Sequence, residues 1–296
     1  NNSMEDYLGL ISGVHSRVKN IVLRQNGIKQ RFYAVNTKQE MTHTNAELAH
    51  LSIQKLLKEA LLPLQELELL ACATASPDQV LPSHASMVHG LLKNAPMEIF
   101  SASGICLSCV QAFKIAYLSI LAGDKRNAVC SCSELASAGL LSKNFDVEYE
   151  KCANLGIQPY MALEKDFLRF MLSDGASAVL LQDNPSKGKA LHVEWVEMTS
   201  YANELPTCMF MGAEKEKNGE LKSWKSFSSQ ELTDRSLFTV KQDIKLLEKN
   251  AVPYWAKHIK YCLEKHDVAP ESISYVLPHV CLLYTSDAAD DRISVD

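Results

Sequence analysis

Along most of the chain, short apolar runs alternate with longer stretches in which apolar residues recur at helical spacing. Short apolar runs bounded by turns are typical of buried strands, and the longer stretches are typical of helices that cover a sheet. The pattern predicts strands at residues 67–73, 97–102, 127–132, 176–181, 190–197 and 274–277. It predicts helices at residues 44–60, 83–92, 106–121 and about 233–265. This alternation favours an α/β layer architecture.

Local signals support several of these elements. Thr44 and Glu47 form the sequence pattern of a capping box, which marks the start of the first long helix. The helix that begins near Cys106 stops at Gly123, a residue type that is common just past helix ends. The pair Asp174-Gly175 indicates a tight turn before a strand, and we interpret it as architectural.

The composition is that of an ordinary globular protein. The 296 residues are 47% hydrophobic, which is enough for one large domain or two fused halves. The formal net charge of -5 is unlike that of nucleic-acid-binding proteins, so we expect no nucleic-acid partner. No apolar run approaches the roughly 20 residues that a membrane span needs, so we expect no membrane partner.

Nine cysteines are present: Cys72, Cys106, Cys109, Cys130, Cys132, Cys152, Cys208, Cys262 and Cys281. Their number is odd and the first residues do not resemble a secretory signal, so we expect reduced thiols in a cytoplasmic protein. The spacing Cys106-x-x-Cys109 occurs in zinc and redox sites, but no second pair follows at zinc-finger spacing, and we expect no metal. Cys130 and Cys132 alternate along one strand face, where we interpret both as packing residues.

Cys106 is the candidate nucleophile. It lies between an apolar strand and a helix, where the helix dipole and free amides favour a thiolate. The same amides can hold the oxyanion of an acylated intermediate. The alternative is a buried structural cysteine, which is the commoner role of a single cysteine. Cys109, three residues later, either lines the same pocket or packs.

Two further side chains are candidates for proton transfer. His279 follows a predicted buried strand, and α/β folds keep their sites at the carboxyl ends of strands. Together with a nucleophilic cysteine in the same pocket, His279 suits Cys/His thioester chemistry. Glu134 follows another predicted strand, where it is either a base for an α-carbon or a carboxylate that caps the next turn.

In order and spacing, these residues resemble the β-ketoacyl-acyl-carrier-protein synthase III group of the thiolase fold. The matching segments are Gly27-Ile28-Lys29-Gln30-Arg31, Thr74-Ala75-Ser76-Pro77-Asp78, Pro82-Ser83-His84-Ala85, Cys106 with Gly123, Ser133-Glu134, Ser173-Asp174-Gly175-Ala176-Ser177-Ala178 and Leu277-Pro278-His279. Five further segments resemble the branch that makes dialkylresorcinol and stilbene precursors. They begin at Met4, Leu81, Glu164, Ser200 and Leu221.

The resemblance implies two similar α/β halves in a five-layered α-β-α-β-α sandwich. Residues 1–185 would form the N-terminal half with the nucleophile Cys106, and residues 186–280 an incomplete C-terminal half with His279. Residues 281–296 look like translated sequencing adapter, and the first strand of the family is missing. We therefore expect a chain truncated at both ends, with little or no turnover.

The resemblance also implies a reaction. The enzyme would transfer an acyl group to Cys106, then form a C–C bond with the enolate of a second thioester. In the dialkylresorcinol branch, a β-ketoacyl thioester joins another acyl thioester by Claisen-type or decarboxylation-independent chemistry, and the product closes to a 2,5-dialkylcyclohexane-1,3-dione. His279 and an asparagine would stabilise the enolate, and Glu134 would abstract the proton. The enzyme would be a homodimer that uses acyl-carrier-protein or CoA thioesters and no cofactor.

Two alternatives stay open. An initiating synthase III would make linear β-ketoacyl products, and a non-catalytic subunit would only shape the pocket of an active partner. The family usually has glycine near position 109, where this chain has Cys109, so the size of the pocket is open as well.

Overall fold

The computed structural model describes residues 1–26, 28–154, 167–184 and 190–277. Its contacts divide the chain into two compact units. The sheet unit comprises Phe32–Ala138 and Ser173–Val196. The second unit comprises Asn1–Arg31, Gly139–Leu172 and the residues from Glu197 onward.

The sheet unit is built on four strands in the order β2-β1-β3-β4. These are β1 (Leu69–Thr74), β2 (Glu98–Ser103), β3 (Asn127–Glu134) and β4 (Gly175–Gln182). Strand β1 pairs in parallel with β2 and β3, while β4 runs antiparallel to β3. All six residues of β1 are buried, as expected for a strand that has helices on both faces.

Three helices cover this sheet. Helices are numbered α1–α9 in chain order. Helices α3 (Asn45–Ala60) and α4 (His84–Leu92) pack with Leu70, Cys72 and Val129 on one face of the sheet. Helix α5 (Ser108–Leu121) packs its Ala112 and Ala116 against the other face. The strands and helices predicted between residues 44 and 181 are therefore confirmed, with ends shifted by one or two residues.

Two predicted local signals have the expected geometry. The Thr44 hydroxyl accepts a hydrogen bond from the Glu47 amide, and the Glu47 carboxylate accepts one from the Thr44 amide, which completes the capping box. The buried Asp174 carboxylate accepts hydrogen bonds from the amides of Ala34 and Ser137, both at 2.7 Å. Asp174 thus joins two loops at the start of β4, which confirms its architectural role.

The second unit is made of shorter elements. Its described helices and strands are α1 (Met4–Leu8), α2 (Lys19–Asn26), α7 (Asp146–Asn154), residues 167–171, β5 (Met209–Phe210), β6 (Ala213–Lys215), β7 (Leu221–Ser223), α8 (Ser229–Asp234), β8 (Lys241–Gln242) and α9 (Ile244–Lys265). Helix α6 (Ala136–Leu140) lies where the chain passes between the units. The buried Arg169 guanidinium donates to the carbonyls of Leu8, Gly9 and Leu140 and so ties the first helix to this unit.

Short 3-10 turns complete the described chain at Ile11–Gly13, Leu64–Glu66, Ser142–Asn144, Trp224–Ser226 and Pro270–Ser272. None of the described helices has the length and apolar content needed to cross a membrane.

Three predicted elements differ from the structure. The single helix predicted from Thr233 to Lys265 is interrupted, because the chain turns at Ser236 with φ +45° and forms β8 before Asp243 caps α9. Residues 190–197 and 274–277 are not strands. Their apolar content suggested strands, but no described strand pairs with them, and Leu191 and Leu277 are exposed.

Candidate active site

The carboxyl ends of β1, β2 and β3 meet at one edge of the sheet because these strands are parallel. Glu134 is the last residue of β3, and Cys106 follows β2 by three residues. The negative charge of Glu134 acts on the Cys106 thiol, so the two side chains share this edge. The structure places Glu134 and Cys106 at the same edge of the sheet, and their joint role in catalysis stays a prediction.

Cys106 lies in the turn that leads into α5. The Ser108 amide donates to the Ile105 carbonyl at 3.0 Å, and the helix begins at Ser108. Leu107, at the N-cap position, already has helical φ and ψ and makes no side-chain cap. The Cys106 thiol is free and exposed. Its predicted place before a helix is confirmed, and its exposure favours the nucleophile over a buried structural cysteine.

The resting form of this thiol differs from the expectation drawn from the helix dipole. Loss of solvation raises the pKa of Cys106, a hydrogen bond to its own amide lowers it, and the charge of Glu134 raises it further. The net pKa is above the ordinary value for cysteine. Cys106 therefore holds its proton at neutral pH and needs a base when it attacks.

Glu134 is fixed by donors that follow β1. Its carboxylate accepts hydrogen bonds from the Ala75 amide at 2.7 Å, the Ser76 hydroxyl at 2.6 Å and the Thr74 hydroxyl at 3.4 Å. Burial raises the pKa of Glu134 and these hydrogen bonds lower it, with a net value above the ordinary one. A carboxyl group whose pKa is raised toward neutral pH suits general-base chemistry, but the same hydrogen bonds also hold the loop.

Asn45 supports this loop from the start of α3. It is fully buried, and its amide nitrogen donates to the Thr74 hydroxyl at 2.8 Å and to the Ser76 carbonyl at 2.7 Å. The Asp78 carboxylate accepts from the amides of Asn45 and Ala46. Sequence reasoning placed Thr74 to Asp78 only within a motif and missed Asn45, because the contact joins residues 29 positions apart.

His84 is a second side chain near this edge that sequence reasoning missed. It is buried at the start of α4, and its Nε2 lies 3.0 Å from the hydroxyl of Ser133, the residue before Glu134. Burial lowers the pKa of His84, so the imidazole is neutral. Its Nδ1 has no hydrogen-bond partner among the described residues. One histidine among nine carries no sequence signal for this position.

The expectation that all cysteines are reduced is wrong, because Cys109 is bonded to Cys132. The pleat of β3 turns Cys130 and Cys132 toward α5, and the first turn of α5 places Cys109 opposite, with 5.6 Å between the Cα atoms. This pairing depends on how the helix packs on the sheet, which spacing alone does not give. Cys130 is free and buried, so its predicted packing role is confirmed.

His279 and Cys281 lie outside the described residues, so the structure does not locate the predicted partner of Cys106. In the described part of the chain, no group of three or more His, Cys, Asp or Glu side chains could hold a metal ion.

Comparisons with known proteins find relatives of this chain both by sequence and by structure. No family model matches the chain. It is 24% identical over 259 residues to a β-ketoacyl-[acyl-carrier-protein] synthase III of Aliarcobacter butzleri, covering 87% of this chain and 67% of the relative. It is 25% identical over 274 residues to the Aquifex aeolicus protein of the same name, covering 93% and 71%.

Solved structures show the same likeness. A tetronic acid condensing enzyme, AbyA1, superposes with a TM-score of 0.70 at 20% identity, covering 99% of this chain and 78% of that one. The Aquifex aeolicus synthase III gives a TM-score of 0.60 at 21% identity, covering 94% and 73%. Xanthomonas campestris OleA, crystallised with lauric acid and lauroyl-CoA, gives 0.61 at 16% identity, covering 100% and 76%. The predicted thiolase-like fold is therefore confirmed.

Proposed function

We propose that this chain, which has the thiolase-like fold and resembles β-ketoacyl-[acyl-carrier-protein] synthase III in sequence, joins two acyl thioesters through an acyl-Cys106 intermediate. The observation that carries this proposal is the free, exposed Cys106 at the carboxyl edge of parallel strands, at the same edge as the half-buried Glu134. A nucleophile and a carboxylate whose pKa is raised, held at one edge, are the groups that thioester condensation requires.

The first half-reaction loads the enzyme. The Cys106 sulfur attacks the thioester carbonyl, the carrier thiol leaves, and the proton of Cys106 goes to a base and then to the leaving thiol. A base is required because the pKa of Cys106 is raised. We assign this role to His279, as the resemblance to Cys/His thioester enzymes suggests.

The second half-reaction forms the C–C bond. Glu134 takes a proton from the α-carbon of the second thioester, and the resulting enolate is stabilised by His279 with an asparagine. The enolate carbon attacks the acyl carbonyl, and Cys106 leaves as the thiolate. A 2,5-dialkylcyclohexane-1,3-dione requires a different order of bond formation. The α-carbanion of a β-ketoacyl thioester adds to the β-carbon of an α,β-unsaturated acyl group on Cys106. A second carbanion, on the far side of the keto group, then attacks the Cys106 thioester carbonyl and expels the thiolate, and the remaining carrier thioester is lost by hydrolysis and decarboxylation. The five branch-specific sequence segments favour this outcome.

We also propose that acyl carrier protein or CoA carries the acyl groups, that the enzyme is a homodimer, and that its two thiolase-like halves are residues 1–185 and 186–280.

A linear β-ketoacyl product is the second candidate, because the sequence relatives carry the name β-ketoacyl synthase III. Product mass separates the two, because the ring product has lost both carrier thiols and differs in composition from the linear β-ketoacyl thioester.

A Glu134→Gln variant tests the role of the carboxylate. Because we expect little or no turnover from the present chain, the variant is made in a version of the protein whose C-terminal sequence has been read again from the gene. Gln keeps an oxygen acceptor for the Ala75 amide but is not a base, so we expect condensation to fall by about 100-fold or more while Cys106 still loads. The matched control is Glu98→Gln, which changes a carboxylate at the opposite end of β2. Equal condensation rates in the two variants would show that Glu134 only holds the loop.

A further inference from the structure

The Cys109–Cys132 disulfide lies next to the candidate nucleophile, and neither the proposed reaction nor the similarity to other proteins assigns it a role. Cys109 is in the first turn of α5, three residues after Cys106, and Cys132 is on β3, two residues before Glu134. The bond therefore joins the segment that carries the nucleophile to the strand that carries the carboxylate. We propose that this disulfide is a redox-controlled brace, reduced by a dithiol, that sets the position of Cys106 relative to Glu134.

The start of α5 lacks the side-chain cap that orders the first turn of each neighbouring helix. Thr44 caps α3 and Ser83 caps α4 with side-chain hydrogen bonds, whereas Leu107 provides none for α5. The backbone bonds at this end, Ser108 to Ile105 and Gln111 to Leu107, stay within the segment itself. They keep the turn intact but do not fix it to the sheet. The disulfide supplies a covalent link from this first turn to β3.

The disulfide is less buried than the free cysteines within the sheet. Cys109 and Cys132 are half-buried, whereas Cys72 and Cys130 are buried in the two cores on either side of the sheet. A small dithiol can therefore reach the disulfide without opening the core, because thiol–disulfide exchange needs access to one sulfur.

The redox step is a two-electron exchange with a dithiol as reductant. One thiolate of the dithiol attacks a sulfur of the bridge and forms a mixed disulfide, releasing the other cysteine. The second thiol of the reagent then displaces the first cysteine and closes to a cyclic disulfide. The protein gains two electrons and two protons and is left with two thiols at Cys109 and Cys132.

Reduction frees the first turn of α5 to move from β3. Cys106 then gains solvent and moves away from the charge of Glu134, the two influences that raise its pKa. Its reaction with iodoacetamide speeds up because more thiolate is present. Acyl transfer slows because the sulfur is no longer held in place. These opposite changes distinguish a released brace from general unfolding, in which Cys130 would also become reactive.

The test compares the oxidised chain, the same chain after dithiothreitol treatment and removal, and the double variant C109S/C132S. Peptide mass spectrometry follows alkylation at Cys106 alone. We expect alkylation to rise several-fold and acyl transfer to fall about tenfold or more in the reduced and doubly substituted proteins. The matched control, Cys208→Ser, removes a free, half-buried cysteine outside the sheet unit and keeps the oxidised behaviour.

The acyl-transfer readout rests on the proposed function, whereas the alkylation readout does not. A changed alkylation rate in a protein that never takes an acyl group would uphold the brace and reject the proposed reaction. Equal alkylation rates in the oxidised and reduced proteins would overturn the brace. A Cys106–Cys109 bond in the unreduced peptide map would overturn it as well, since the nucleophile itself would then be the redox partner.

Discussion

At the scale of single residues, the chemistry of the site is set by burial and by a few hydrogen bonds. Cys106 and Glu134 both hold protons more tightly than usual, because loss of solvation opposes the charged form of each. As the pH rises through the pKa of Glu134, its carboxyl group loses its proton and takes the form that the proposed condensation requires. The thiol of Cys106 keeps its proton at neutral pH, so the proposed acyl transfer needs a base.

His84 gives the molecule a pH dependence of stability. Its pKa in the folded state is lowered by burial, so the unfolded chain binds the proton more readily. Its contribution to stability is therefore present above an ordinary histidine pKa of about 6.5 and is lost as the pH falls through that value toward the folded pKa.

We predict that His84→Gln reduces the loss of stability on acidification, as measured by urea unfolding at a series of pH values from neutral to mildly acidic. Gln can still donate to the Ser133 hydroxyl but does not titrate. The control is His43→Gln, a change at an exposed histidine that should leave the pH dependence as it is. If His84→Gln and the parent lose stability in parallel, the buried imidazole is not the titrating group.

At the scale of elements, sequence patterns predicted the sheet unit well, because each of its strands and helices has both local signals and a core to bury against. The same patterns failed at residues 190–197 and 274–277, where apolar residues have no pairing strand in the described chain. They also missed the break before α9, since the helical periodicity of Thr233 to Lys265 conceals a turn at Ser236. Strand formation depends on a partner that periodicity does not reveal.

The capping box of α3 contributes a measurable amount to the free energy of unfolding. Thr44→Ala removes the acceptor for the Glu47 amide, and we expect the free energy of unfolding to fall by about 1 kcal/mol. Urea denaturation gives the change, with Thr42→Ala as the control, because Thr42 is exposed and outside the helix. A loss no larger than that of Thr42→Ala would mean that packing alone holds the start of α3.

At the scale of the whole molecule, the sequence motifs and the structural matches lead to the same thiolase-like fold at identities of 25% or less. The motifs could be read from sequence because Cys106, Glu134 and Asp174 each stand at the end or start of a strand. The groups that support these residues could not be predicted from the sequence. Asn45, His84 and the Cys109–Cys132 bond act through contacts between elements that are distant in sequence. The dialkylresorcinol branch rests on five short segments and stays a prediction.

The most direct measurement is peptide mass spectrometry of the protein after incubation with an acyl thioester. A single loading event needs no turnover, so the adduct is counted per chain, with Cys106→Ser as the comparison. We predict one acyl group on the peptide that contains Cys106 and none on that peptide in the variant. An unmodified Cys106, or acylation at another cysteine alone, would contradict the account.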